Sequence, residues 1–333
     1  MIGNRAANPR PYLFEILIAA SFLATALLAS PTRKLLGSIP TGIATFAVLL
    51  LADAVIGVTI RSIVAAVRRD SAYFRIIRST GWLLDTARII FFGAVATLTY
   101  AWLKLIVPIV HPRLYDRQLW EIDAMLLGGY SPTVLSLELF SNDLALKVID
   151  WTYPNIFFAS ISVAFVFFIS HPSRRIRVAF TTGKAILGLA GAALYLLVPS
   201  LGPAYRFPEV WLVYSDLLVT TQHLQGMLLT NYQNVLRAMS DQPHGVIQPI
   251  FGIAAFPSLH VALQLFMFLW MRRLWKSGEV LFGIFFFMIL LGSVVTGWHY
   301  LIDGIAGIVL AWAAYAAAGR LYGLDRWLGK TRN

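Results

Sequence analysis

The chain contains no cysteine, which excludes disulfides and thiol chemistry of any kind. Charge is scarce as well. Charged residues make up 13% of the 333 positions, where a soluble domain carries roughly a quarter. Negative charge is the scarcer sign, with 16 acidic residues against 27 lysines and arginines, a net +11. No low-complexity segment and no internal repeat interrupts the chain. What fills the space is apolar: 58% of the residues are hydrophobic.

The hydrophobic residues come in long runs. Crossing a bilayer as a helix takes about 20 apolar residues at 1.5 Å rise each. Runs of that kind cover 12–30, 41–60, 82–103, 151–170, 178–198, 257–271, 280–295 and 298–321. The fold class expected is therefore all-α, a polytopic membrane helix bundle of about eight transmembrane helices. The first run follows a basic flank and is longer than the core of a cleavable signal peptide, so it reads as a signal anchor.

Orientation follows from the basic residues, which cytoplasmic loops hold in excess. With the N-terminus inside, Arg5 and Arg10 fall in the cytoplasm. So do Arg61, Arg68, Arg69, Arg75 and Arg78, then Arg174, Arg175 and Arg177, then Arg272, Arg273 and Lys276. Arg320, Arg326, Lys330 and Arg332 follow at the C-terminus. The outer loops are sparser, so an N-in/C-in protein of the inner (plasma) membrane is expected. The net positive charge then serves topology and contact with an anionic lipid surface. No single basic stripe exists that would suit nucleic acid.

Two outer loops are long. The first, 111–150, contains LYDRQLWEIDAMLLGGYSPTVLSLELF, with apolar Leu119, Ile122, Leu126 and Leu127 among charges. That pattern predicts a helix lying at the membrane interface. The second, 199–255, opens with PSLGPAYRFPEVW, and its prolines and glycines predict no continuous helix.

Chemistry concentrates in FPSLHVALQL (256–265) and GSVVTGWHYLIDGIAG (292–307). His299 and Asp303 are four apart, so on one helix they share a face. A carboxylate accepting from one imidazole nitrogen fixes the tautomer and frees the other as nucleophile or base. His260 follows Pro257 and Ser258, a pair suited to a helix start. The pair His299–Asp303 is also compatible with a structural role or a proton path, and Ser258 is equally a cap or a ligand contact. Gln264, one turn below His260, lines a pocket or bonds a neighbouring helix. Gly304, Gly307, Ala311, Ala314 and Ala318 form a small-residue stripe suited to packing another span. Both histidines fall on the extracytoplasmic side by the topology above.

PSLH (257–260) and His299-x-x-x-Asp303 resemble the second and third signatures of the type 2 phosphatidic acid phosphatase superfamily. FPSLHVA, HYLID and the LYDRQLWEIDAMLLGG segment look most like its inositol-phosphotransferase branch, which includes the inositol phosphorylceramide synthases. The resemblance covers Trp82 to the C-terminus. It implies a six-helix catalytic membrane domain over 82–333, preceded by an N-terminal transmembrane pair and basic loop over 1–81. It implies His299 as the nucleophile that becomes phosphohistidine, oriented by Asp303. His260 would protonate the leaving group, and Ser258 would help hold phosphate oxygens. No metal and no cofactor are implied.

The first family signature is degraded. Arg206 in YRFP is the matching arginine, but Phe207 intervenes before Pro208, and the lysine position holds Pro199. The third-signature arginine position holds Ser293. A phosphomonoester carries nearly two negative charges and a phosphodiester one, so the lost cations favour transfer between lipid phosphodiesters. Arg237 and His244 are expected substrate-binding replacements, with His223, Arg113 and Arg117 further candidates. The function expected is a lipid phosphotransferase, with phosphoinositol in sphingolipid metabolism as the candidate head group. A phosphatase using water as acceptor is the alternative, and a proton-coupled transporter is a third reading from another class.

Overall fold

A computed structural model of the chain describes residues 10–28, 39–240, 242–248 and 250–324. The described residues form helices α1 (Leu13–Leu28), α2 (Ile39–Val67), α3 (Ser71–Ile77), α4 (Thr80–Val110), α5 (Asp116–Leu126), α6 (Pro132–Leu139) and α7 (Asp143–Ile169). There follow α8 (Arg174–Leu197), α9 (Pro203–Arg206), a 3-10 segment (Pro208–Tyr214), α10 (Val219–Met239), α11 (Leu259–Leu274), α12 (Lys276–Val295) and α13 (Leu301–Leu321). No strand occurs among the described residues. A helix satisfies its backbone internally, and in hydrocarbon nothing else on the chain can.

Each of the eight expected runs contains a helix among the described residues, the sixth starting at Leu259 and the last at Leu301. Six of them (α2, α4, α7, α8, α12 and α13) are long and apolar enough to cross a membrane. The other two, α1 and α11, have 16 residues each. The long helices overrun the apolar cores from which they were read. α4 extends through Pro108, and α7 begins at Asp143 and contains Pro154, because polar flanks continue a helix once it is nucleated. The basic flank at Arg5, the outer-loop Arg33 and Lys34, and Arg326, Lys330 and Arg332 lie outside the described residues.

α11 is the axis of the bundle. Ala262, Phe266, Met267, Trp270 and Met271 are all buried, and Phe168 of α7 stacks on Phe180 of α8 beside Trp270 at 3.7 Å between ring centroids. α2 shows the opposite pattern, with Val48, Leu49, Leu51, Val55, Ile56, Ile60 and Ile63 exposed. Apolar side chains outside and in, with the burial concentrated on one axis, suit a lipid solvent. The small-residue stripe of α13 is buried as expected. Gly307 is the tightest point: a Cβ there would lie 2.5 Å from the Ser258 carbonyl oxygen.

The two ends of the bundle differ in chemistry. At one end Arg61 donates to Ser170 and Phe167, Arg174 pairs with Asp85, and buried Arg177 bonds Thr86 and lies over Trp82. Arg88 pairs with Glu15 at the same end. The opposite end gathers α5, the loop before α9, and the starts of α11 and α13.

The structure corrects two expectations. The 199–255 region contains a 21-residue helix, α10, because its prolines flank that stretch and only Gly226 falls inside it. His299 is not on a helix with Asp303: α13 starts after its N-cap Tyr300, and His299 lies in the turn before it.

Candidate active site

His299 reaches its position through a tight turn. α12 ends at Val295, and Gly297 takes φ +74, a left-handed conformation that glycine adopts freely. A side chain there would also collide with Trp211, whose indole donates to the Val295 carbonyl. The His299 N–H closes the turn on the Ser293 carbonyl at 3.0 Å. This gives Ser293, at the family's arginine position, a packing role: it is fully buried and its hydroxyl donates to Leu290.

His260 sits in the first turn of α11. Ser258 is the N-cap, accepting from the Val261 N–H at 3.3 Å. Its own N–H donates to the Asp303 carbonyl at 3.0 Å, so the starts of α11 and α13 are pinned together. The segment leading in is held to Ser200, which accepts from the N–H groups of Ala255 and Phe256.

The two histidines touch. His260 Nδ1 and His299 Nε2 are 2.9 Å apart. His299 Nδ1 lies 2.9 Å from the Ala255 carbonyl oxygen. A carbonyl only accepts, so His299 Nδ1 carries hydrogen and its Nε2 holds the free lone pair. His260 Nδ1–H then donates to that lone pair at rest. Asp303 stands behind the pair, with Oδ2 at 3.5 Å from His299 Nδ1 and at 2.9 Å from the Tyr300 N–H it accepts. The peptide carbonyl is thus the principal orienting acceptor, and Asp303 adds charge and caps α13.

That geometry sets the expected effect of Asp303→Asn. A lost carboxylate that alone defined the tautomer would cost about 10⁴-fold. With Ala255 retaining the tautomer, kcat should fall only about 10- to 100-fold, the usual cost of an outer-sphere partner, with little change in KM. Steady-state kinetics on purified protein checks this, and a loss near 10⁴ would give the orienting role back to Asp303.

Two residues that the sequence did not single out build the floor. Asp116 and Asp123 of α5 are each about 1% exposed. Asp116 accepts from the N–H groups of Leu201 and Gly202 and from the Tyr300 hydroxyl. Asp123 accepts from the first two N–H groups of α13, Leu301 at 2.7 Å and Ile302 at 2.8 Å. Both are helix-start donors that would otherwise be orphaned. Burial pushes the Asp116 carboxyl up and raises Asp123 to about 6. Burial also raises the Tyr300 phenol well above its usual range, and the Asp116 charge adds to it. The signal was available: two acids seven apart lie on one helix face. The apolar Ile122 and Leu126 of α5 and its C-cap Leu127 stay exposed, as expected of an interfacial helix, while Leu119 is buried.

The other expected site residues are not drawn to the histidines. Arg206, at the end of α9, is exposed and lies over the Phe207 ring at 5.7 Å. Arg237 is exposed in the last turn of α10, and His244 Nδ1 faces the Gly245 carbonyl at 2.8 Å. None of the three has a hydrogen bond to His260, His299 or Asp303 among those described. Gln264 is buried, and its amide donates to Ser160 of α7, a helix-to-helix bond.

A family model described as the PAP2 superfamily matches residues 117–317, more than half of the chain. No curated protein and no solved structure matches.

Proposed function

The chain belongs to the PAP2 superfamily, and from that premise we propose that it is a membrane lipid phosphotransferase working through a phosphohistidine at His299. The family's chemistry is of the lipid phosphatase and phosphotransferase type. The observation that carries the reading is the His260–His299 contact, in which one ring nitrogen of His299 is locked to a carbonyl and the other turns its lone pair toward His260.

The steps follow from that arrangement. The phosphoryl head of a lipid phosphodiester enters between the two rings and replaces their hydrogen bond. As the phosphate anion binds, His260 takes up a proton at Nε2 and becomes imidazolium. His299 Nε2 then forms the bond to phosphorus, the bond from phosphorus to the leaving oxygen breaks, and His260 gives that oxygen its Nδ1 proton. A lipid hydroxyl then loses its proton to His260 Nδ1 and attacks phosphorus, and the P–N bond breaks. Both histidines return to their starting states. The absence of cations at Pro199 and Ser293 favours a singly charged diester over a monoester. With FPSLHVA and HYLID, this supports the inositol-phosphotransferase-like branch and phosphoinositol as the head group.

Purified protein given a phosphoinositol-bearing lipid and a lipid alcohol should yield the transferred lipid by mass spectrometry. Release of free phosphate or of the free head group alone would make it a hydrolase. No turnover of any phospholipid would end the reading.

We place the site on the extracytoplasmic side, on the strength of the basic inner loops. Single cysteines report this cleanly in a chain without thiols. A cysteine replacing Ser215 should react with an impermeant maleimide in intact cells or spheroplasts. One replacing Ser277 should react only after lysis. The reverse pattern would invert the protein.

A further inference from the structure

Two of the phosphate-binding cations of the family signatures are missing from this chain, at Pro199 and Ser293, and three other side chains near the histidine pair stand without acceptors. Lys104, near the C-terminal end of α4, has no ion pair and no hydrogen bond among the described residues. Its ammonium contacts only the Tyr100 ring face, 5.3 Å from the centroid. It is close enough to act electrostatically on the His260 ring. The segment that carries the Ala255 carbonyl fixes its stem, since a Cβ at Gly252 would lie 2.4 Å from the Lys104 Cβ.

The other two are phenols. Tyr153 of α7 is 3% exposed, its ring is 5.8 Å from His260, and its buried hydroxyl has no partner. Tyr205 of α9 packs against Trp298 at 6.2 Å, and its hydroxyl is likewise buried and unpartnered. Tyr205 lies close enough to Tyr153 to act on it electrostatically. An unpaired ammonium and two orphaned hydroxyls within a membrane bundle are each costly unless an anion completes them. The one carboxylate at the pair, Asp303, faces the Nδ1 side of His299, away from the attacking Nε2.

We propose that Lys104, Tyr153 and Tyr205 form the cradle for the phosphoryl oxygens, in place of the lost signature cations. The cradle brings one positive charge and two neutral donors, which matches the single charge of a phosphodiester. It rests on the phosphotransferase reading above and gives that reading its substrate class.

The test separates the two. Binding is measured by thermal shift in detergent on the His299→Ala protein, where no chemistry intervenes. The probes are dimethyl phosphate and inorganic phosphate. Dimethyl phosphate should stabilise this protein at least as well as inorganic phosphate. Adding Lys104→Met should weaken it about tenfold or more, the scale of a charge-assisted bond. Tyr153→Phe and Tyr205→Phe should each weaken it roughly threefold to tenfold. In the active protein the same changes should raise KM for the donor lipid, and Lys104→Arg should restore part of the loss. The two phenylalanine variants keep the ring volume, so they report even where Lys104→Met fails to fold. Unchanged binding and unchanged KM in all variants would overturn the cradle. Binding of inorganic phosphate without dimethyl phosphate would overturn the diester assignment. A cradle that binds as stated in a protein with no turnover would leave it standing and end the phosphotransferase reading.

Discussion

His299→Ala should leave a folded protein with no measurable turnover, a loss of at least about 10⁴-fold, as for nucleophiles of covalent catalysis. The reason is geometric. His299 Nε2 holds its ring's lone pair, pointed at the space beside His260, and the opposite nitrogen is locked by the Ala255 carbonyl at 2.9 Å. His260, the other imidazole of the pair, presents its Nδ1 hydrogen to His299 and so faces the shared space as a donor. The wild-type protein given donor lipid labelled at phosphorus should yield an acid-labile phosphoprotein, and the alanine variant none. The substitution removes the side-chain contacts to the Ala255 carbonyl, His260 and Asp303 and leaves the bundle's packing around α11 intact, so the variant should elute as wild type in detergent. Retention of a tenth of the activity would show that His299 is not the nucleophile, whatever the labelling.

The bundle was legible because lipid imposes one solution on a backbone. Long apolar runs such as those that became α2 and α12 admit nothing but helices. α10 was not legible, because its mixed sequence, VTTQHLQGMLLTNYQNVLRAM, carries no transmembrane signal and the neighbouring prolines suggested an irregular loop. The two histidines stood out as proton carriers at the mouths of apolar runs. Their contact at 2.9 Å was not readable, since it depends on the Ser258–Asp303 backbone bond and on the close approach at Gly307. The Ala255 carbonyl could not be found by residue type at all, because every residue has one. Asp303 was therefore given the whole orienting role, which the structure divides. Asp116 and Asp123 were hidden for a related reason. In an interfacial helix acids are expected to face water, and here they face inward because the loop at 201–202 and the start of α13 present unpaired N–H groups to them.

His260→Ala should divide the reaction by leaving group. With a natural lipid donor the departing oxygen is a poor leaving group, and loss of its proton donor should cost about 10²- to 10⁴-fold in kcat/KM. A diester that expels p-nitrophenolate needs no such proton, so its attack by His299 should proceed within about tenfold of wild type, as the removal of a general acid alone predicts. The second half-reaction still needs a base to take the acceptor's proton. The phosphohistidine should therefore form in a burst and accumulate in the variant, where in wild type it turns over. Stopped-flow release of p-nitrophenolate measures the burst, and its amplitude should approach one per active site. The same substitution also removes the hydrogen bond that caps His299 Nε2 at rest, so a small gain in the first step with the activated diester is consistent with the assignment. Equal losses with both donors, and no burst, would mean that His260 positions His299 and that the proton comes from elsewhere.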